Sequence, residues 1–104
     1  MTAVAESVAR GAALLDEKLP GWDERIDLAD LQLASCYRCV LGQLFARSPI
    51  PAGTDSPYGL GIWVLGIDRG SRYGFDGDDA DQLNAEWRRV VTERRTRVLT
   101  GATT

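Results

Sequence analysis

Apolar residues recur at steps of three and four through the opening stretch of the chain: Val4, Val8, Ala12, Leu15 and Leu19. That period gathers them into one stripe and predicts an amphipathic helix over 3–19. Glu6, Arg10, Asp16, Glu17 and Lys18 lie off the stripe and solvate the other side. Pro20-Gly21 ends it, since a residue before proline is pushed out of the helical region. A second stripe, Cys36, Val40 and Leu44 flanked by Leu41 and Phe45, follows Ser35. With Ser35 as N-cap it predicts a helix over 35–46. Gly42 inside that helix costs about 1 kcal/mol relative to Ala, so it reads as a point of close approach by another helix. The clearest pattern is the last one. Leu83, Trp87, Val90, Val91 and Val98 predict a long helix over 78–99. Asp78 or Asp79 caps it, arginines 94, 95 and 97 sit towards its negative end, and Gly101 is the expected C-cap.

Between these helices the pattern weakens. Residues 22–34 form a connector anchored by Ile26, Leu28, Leu31 and Leu33, with Asp27 placed to cap a single helical turn over 28–31. The 48–58 segment is rich in proline and predicts an exposed loop. Tyr58 to Gly66 suits either a strand through Ile62-Trp63-Val64 or a short buried helix through Leu60, Trp63, Val64 and Ile67. No partner strand is evident elsewhere, which favours the helix. The expected fold is therefore all-α: one domain over 1–104, a small bundle of three main helices plus one short helix, with residues 101–104 frayed. Its expected core is Leu15, Leu19, Trp22, Leu31, Val40, Leu44, Phe45, Trp63, Leu65, Leu83, Trp87 and Val90.

Composition narrows the function classes. The chain has 104 residues, 44% hydrophobic and 26% charged, which suits one globular domain with a small core and leaves room for a homodimer. A net charge of −3 argues against sequence-independent binding of nucleic acid. No apolar run is long enough for a membrane span, and the N-terminal residues lack a secretory pattern. With only two cysteines, the expected setting is cytoplasmic, without a structural disulfide.

Cys36 and Cys39 are the one candidate for chemistry. As a redox couple they need a low-pKa thiol at a helix start, which Cys36 would occupy, but the βαβ frame is missing. As zinc ligands they need two more donors, and the chain has no His and no further Cys, so only two chains sharing a site would suffice. As small buried residues they need nothing. Asp76 to Asp81 mimics a calcium loop but has Ala80 and Trp87 where oxygen ligands belong. Gly59 to Gly66 lacks the third glycine of a dinucleotide loop. Arg88, Arg89, Arg94, Arg95 and Arg97 form a basic run interrupted by Glu86 and Glu93, which are spaced to pair with Arg89 and Arg97. A helix-turn-helix reading of 28–46 finds few polar readers. No catalytic residues, cofactor or single-chain metal site are expected, and the chain reads as no enzyme.

Several blocks together resemble a family of small uncharacterised proteins from actinobacteria and their phages. They are Ala13-Leu14-Leu15-Asp16-Glu17, Pro20-Gly21-Trp22, Ile26-Asp27, Cys39-Val40-Leu41-Gly42-Gln43-Leu44-Phe45, Gly74-Phe75-Asp76 and Leu83 with Trp87-Arg88. The resemblance implies a phage or prophage origin and an intracellular setting, and carries no activity with it. The leading expectation is a non-enzymatic protein-binding module, a phage accessory protein engaging an unidentified host protein. Its contact residues would come from the 48–58 loop and the arginine face of the last helix, with Tyr58, Arg88 and Arg95 as candidates. The alternatives are a thiol redox or inter-chain metal module on Cys36 and Cys39, and weak nucleic-acid binding through the last helix.

Overall fold

Helices α1 (Ala3–Lys18), α2 (Val40–Phe45), α3 (Pro57–Leu65) and α4 (Ala80–Gly101) carry the regular structure, joined by 3-10 turns at Trp22–Arg25 and Ser71–Tyr73. The computed structural model describes residues 3–35, 37–46, 56–77 and 79–101, the last four by backbone alone, and contains no strand among them. The fold is all-α.

The two outer helices follow the apolar stripes. Val8, Ala12 and Leu15 of α1 are buried, with Val4 and Leu19 half-buried beside them. The Leu19 N–H still donates to the Leu15 carbonyl at 2.7 Å, and the chain then leaves the helix at Pro20-Gly21. In α4, Leu83, Trp87 and Val91 are buried, and Val90 is half-buried. Asp79 is its cap, accepting from the Gln82 N–H at 3.0 Å. Gly101 is the last residue of α4 itself rather than a cap beyond it.

The second predicted helix is corrected. Ser35 does act as a cap, but of a turn: its hydroxyl accepts from the N–H groups of Tyr37 and Arg38, both at 3.2 Å. A continuous helix would then send the Gly42 N–H to the Arg38 carbonyl. That carbonyl is already taken, by the Gln32 N–H at 3.1 Å and the Gln43 side-chain amide at 3.0 Å. The Gly42 N–H turns instead to the sulfur of Cys39 at 3.3 Å, and α2 starts at Val40 with Cys39 as its N-cap. The short helix is therefore α2, while the segment expected to be short, α3, is longer. The proline-rich loop falls outside the described residues as far as position 55. Ser56, Pro57 and Tyr58, counted with it, are the cap and first turn of α3.

α1 packs along α4 and against the Ser71–Tyr73 turn, while α2 packs against α3. The Trp22–Arg25 turn touches both α4 and α2 and joins the two pairs. At the core, the Trp87 ring stacks on Phe75 with centroids 5.5 Å apart and meets the edge of Trp22 at 5.7 Å. Both buried indole N–H groups have acceptors: Trp87 donates to the Gly74 carbonyl at 2.6 Å and Trp22 to Asp16 at 2.9 Å. α1 and the Ser71–Tyr73 turn come very close at Gly74. A methyl group there would lie 2.9 Å from the Val8 Cα, and one on Gly11 would lie 2.0 Å from the Tyr73 carbonyl oxygen.

Asp16 ties the two ends of the chain together. Arg94 grips its carboxylate with both terminal nitrogens, at 2.6 and 2.8 Å, and lies over the Trp22 ring at 5.5 Å. Burial alone would raise the Asp16 pKa, but the hydrogen bonds from Arg94 and Trp22 and the Arg94 charge outweigh it and hold it below the ordinary value.

The irregular 26–39 segment is held by side chains. Gln43 pairs with Asp27 as a neighbouring strand would, accepting from its N–H at 2.6 Å and donating to its carbonyl at 3.1 Å. Asn84 of α4 accepts from the Leu33 N–H at 2.7 Å and donates to Gln32 at 2.9 Å. Asp27 does start a turn, though not the helical one expected over 28–31: its carboxylate accepts from the Ala29 N–H at 3.0 Å and its carbonyl from the Asp30 N–H at 3.2 Å.

Candidate protein interface

Every residue of α3 is apolar, aromatic or glycine, so the sequence presents no stripe and does not say which side faces inward. Ser56 starts the helix, its hydroxyl accepting from the Gly59 N–H at 3.2 Å, and Pro57 follows at N1. Gly66 closes it in the left-handed region. The inward side is set by a glycine. A methyl group on Gly61 would lie 3.0 Å from the Phe45 ring and 3.1 Å from the Leu41 Cβ, so α2 and α3 meet nearly backbone to side chain there. Pro57, Leu60 and Leu65 are buried along with it.

Choosing that side turns Trp63 outward. It was expected in the core; instead it is 71% exposed, and Val64 beside it is 50% exposed. The correction has a simple geometric cause. The 60–63–64–67 spacing fits a helical face, but the face in use runs through 57, 60, 61 and 65, where the small residue admits α2. Leaving Trp63 in water forgoes on the order of 2 kcal/mol of burial. Val64 extends the exposed apolar surface, and α3 carries no charged side chain to interrupt it.

The residues singled out from sequence have other neighbours. Tyr58 is half-buried on α3, its hydroxyl against Gly70, where a methyl group would lie 2.0 Å from it. Arg88 donates to the carbonyls of Leu28 and Leu31, the latter at 3.0 Å. Arg95 donates to the Asp23 carbonyl at 2.8 Å and also to that of Ile26. These two arginines fasten the connector to α4. Arg89 and Arg97 pair with Glu86 and Glu93 as their spacing implied. Cys36 lies outside the described residues, and with it the geometry of the Cys36–Cys39 pair. Cys39 is buried and serves as the α2 cap. Among the described residues, no group of three or more His, Cys, Asp or Glu side chains is placed to hold a metal ion, and no helix is long and apolar enough to cross a membrane.

Comparison with protein-family models, curated proteins and solved structures returned no match. The functional reading therefore rests on the geometry of this chain. Sequence reasoning missed Trp63 and Val64 as surface residues. The signal was the unbroken apolarity of 57–65 together with its two glycines, more greasy surface than one short neighbouring helix can cover.

Proposed function

We propose that this chain is a non-enzymatic protein-binding module that engages its partner through the outward face of α3. The observation that carries this reading is Trp63, 71% exposed on a helix with no charged residue. Exposed apolar surface of this kind is a recurring mark of protein interaction sites, and Trp is among the residues that dominate binding energy when a partner's pocket closes over it. The partner expected is a protein offering an apolar groove to a helix, with Trp63 as the anchor and Val64 beside it. The resemblance noted from the sequence points to a host protein as that partner.

The test replaces Trp63 by a photo-crosslinking aromatic residue and, separately, by serine. Crosslinking in lysate of the source cells should give one discrete product, competed away by the unlabelled protein and absent when the crosslinker stands at Arg97. The purified partner should bind the Trp63→Ser variant about thirtyfold more weakly. The same variant should keep its stability within about 0.5 kcal/mol, because the side chain is exposed. Unchanged affinity would remove the reading. Self-association that vanishes in Trp63→Ser would assign the face to a second copy of this chain and overturn the heterologous partner.

A further inference from the structure

We propose that the depression between α1 and the Ser71–Tyr73 turn binds the phosphoryl group of a hydroxylated phosphate monoester, the chemistry of a sugar or nucleoside phosphate. Ser7, Arg10, Asp68, Arg69, Ser71 and Arg72 line an open depression of about 580 Å³. Three arginines and a single aspartate line it, in a chain whose net charge is −3.

How the chain uses its other arginines sets this group apart. Among the described residues, Arg38, Arg89, Arg94 and Arg97 pair with carboxylates. Arg25, Arg88 and Arg95 donate to backbone carbonyls. Arg10, Arg69 and Arg72 form none of the ion pairs among the described residues, and the side chains of Arg69 and Arg72 make no hydrogen bond there. All three are exposed, so water and salt screen their repulsion, but together they give the depression a positive potential that favours an anion. Arg10 is already oriented: its Nε donates to the Arg72 carbonyl at 2.9 Å and its Nη2 to the Ser7 hydroxyl at 3.3 Å. A guanidinium has five N–H donors, so that fixing leaves others for a ligand, and the planar fork matches phosphoryl oxygens. The hydroxyls of Ser7 and Ser71 add further donors. Asp68 decides the rest of the ligand. Its carboxylate repels a second anionic group but accepts a hydrogen bond from an alcohol, which favours a hydroxylated monoester over bare phosphate.

Titration with ribose 5-phosphate and with inorganic phosphate, at constant ionic strength set by sodium chloride, tests this by amide chemical shifts. Ribose 5-phosphate should saturate, with shifts centred on residues 7–10 and 68–72, and should bind more tightly than inorganic phosphate. Arg69→Gln and Arg72→Gln, both exposed, should each weaken it about tenfold while leaving the melting temperature unchanged. Asp68→Ala, which removes the acceptor, should weaken ribose 5-phosphate but not inorganic phosphate. Shifts that never saturate, or that survive both arginine substitutions, overturn the site. Equal affinity for the two ligands with a silent Asp68→Ala overturns the hydroxylated monoester. An unphosphorylated oligonucleotide binding as tightly as ribose 5-phosphate overturns the small-molecule assignment.

Discussion

Gly74 and Gly21 both adopt left-handed backbone angles, φ +73° and +85°, yet their surroundings differ. Nothing lies within 4 Å of a methyl group built on Gly21, whereas one on Gly74 meets the Val8 backbone at 2.9 Å. Gly21→Ala should therefore cost only the strained conformation, about 1 kcal/mol. Gly74→Ala adds overpacking against α1 and should cost about 3 kcal/mol. Urea unfolding of the two variants separates these contributions, and equal losses would mean that α1 gives way freely. Trp63 was not legible at this scale. Hydrophobic spacing registers large side chains, while the contact that orients α3 is made by the missing side chain of Gly61. Trp22 and Trp87, by contrast, could be placed in the core from their stripes and neighbours, and both are fully buried.

Among the elements, α1 and α4 were readable because each combines a stripe with a stop or a cap, whereas Pro57, at the first turn of α3, read as part of the proline-rich loop. The false start at Ser35 has a particular origin. Its capping signal is real, but local signals do not reveal that the Arg38 carbonyl is claimed by Gln32 and Gln43. Nor do they reveal the staples from α4. Asn84, Arg88 and Arg95 fall within about 40° of one another around that helix, along the edge of its apolar stripe, and that alignment was the available clue. The Gln43→Ala variant should lose about 1–2 kcal/mol. Amide exchange at Asp27 should quicken well before that of α1 or α4, because the damage is confined to the connector. Exchange that quickens uniformly across the chain would contradict this. The connector is held by its buried apolar anchors, Ile26, Leu31 and Leu33, together with side chains of α2 and α4 that bond its backbone.

For the whole molecule, the Asp16–Arg94 clasp gives stability a pH dependence. The folded-state pKa of Asp16 lies below its ordinary value of 3.8. Its contribution is therefore fully present above that value and is lost as the pH falls through the lower, folded one. Melting curves from pH 6 down to pH 2 should show the wild type losing more stability over the acid limb than Asp16→Asn does, and parallel curves would argue against the clasp. The all-α class and the two outer helices were legible in advance; the pairing of α2 with α3 and the apolar face it leaves outside were not.

The order in which the clasps lie along the chain also bears on how the protein is made. α4 holds Asp16 across 78 residues, Asp23 across 72 and Leu33 across 51. Everything that secures the connector from that side is thus translated after it. A ribosome-bound chain halted before Ala80 has Trp22 without Trp87 and a row of unclaimed carbonyls between Asp23 and Leu31. Such a chain should be cut by protease within that stretch, and the cuts should disappear once α4 has emerged. Protection already complete before Ala80 would show that the connector settles without α4. The outcome expected is closure of the connector only after α4 has emerged, because its long-range partners lie there.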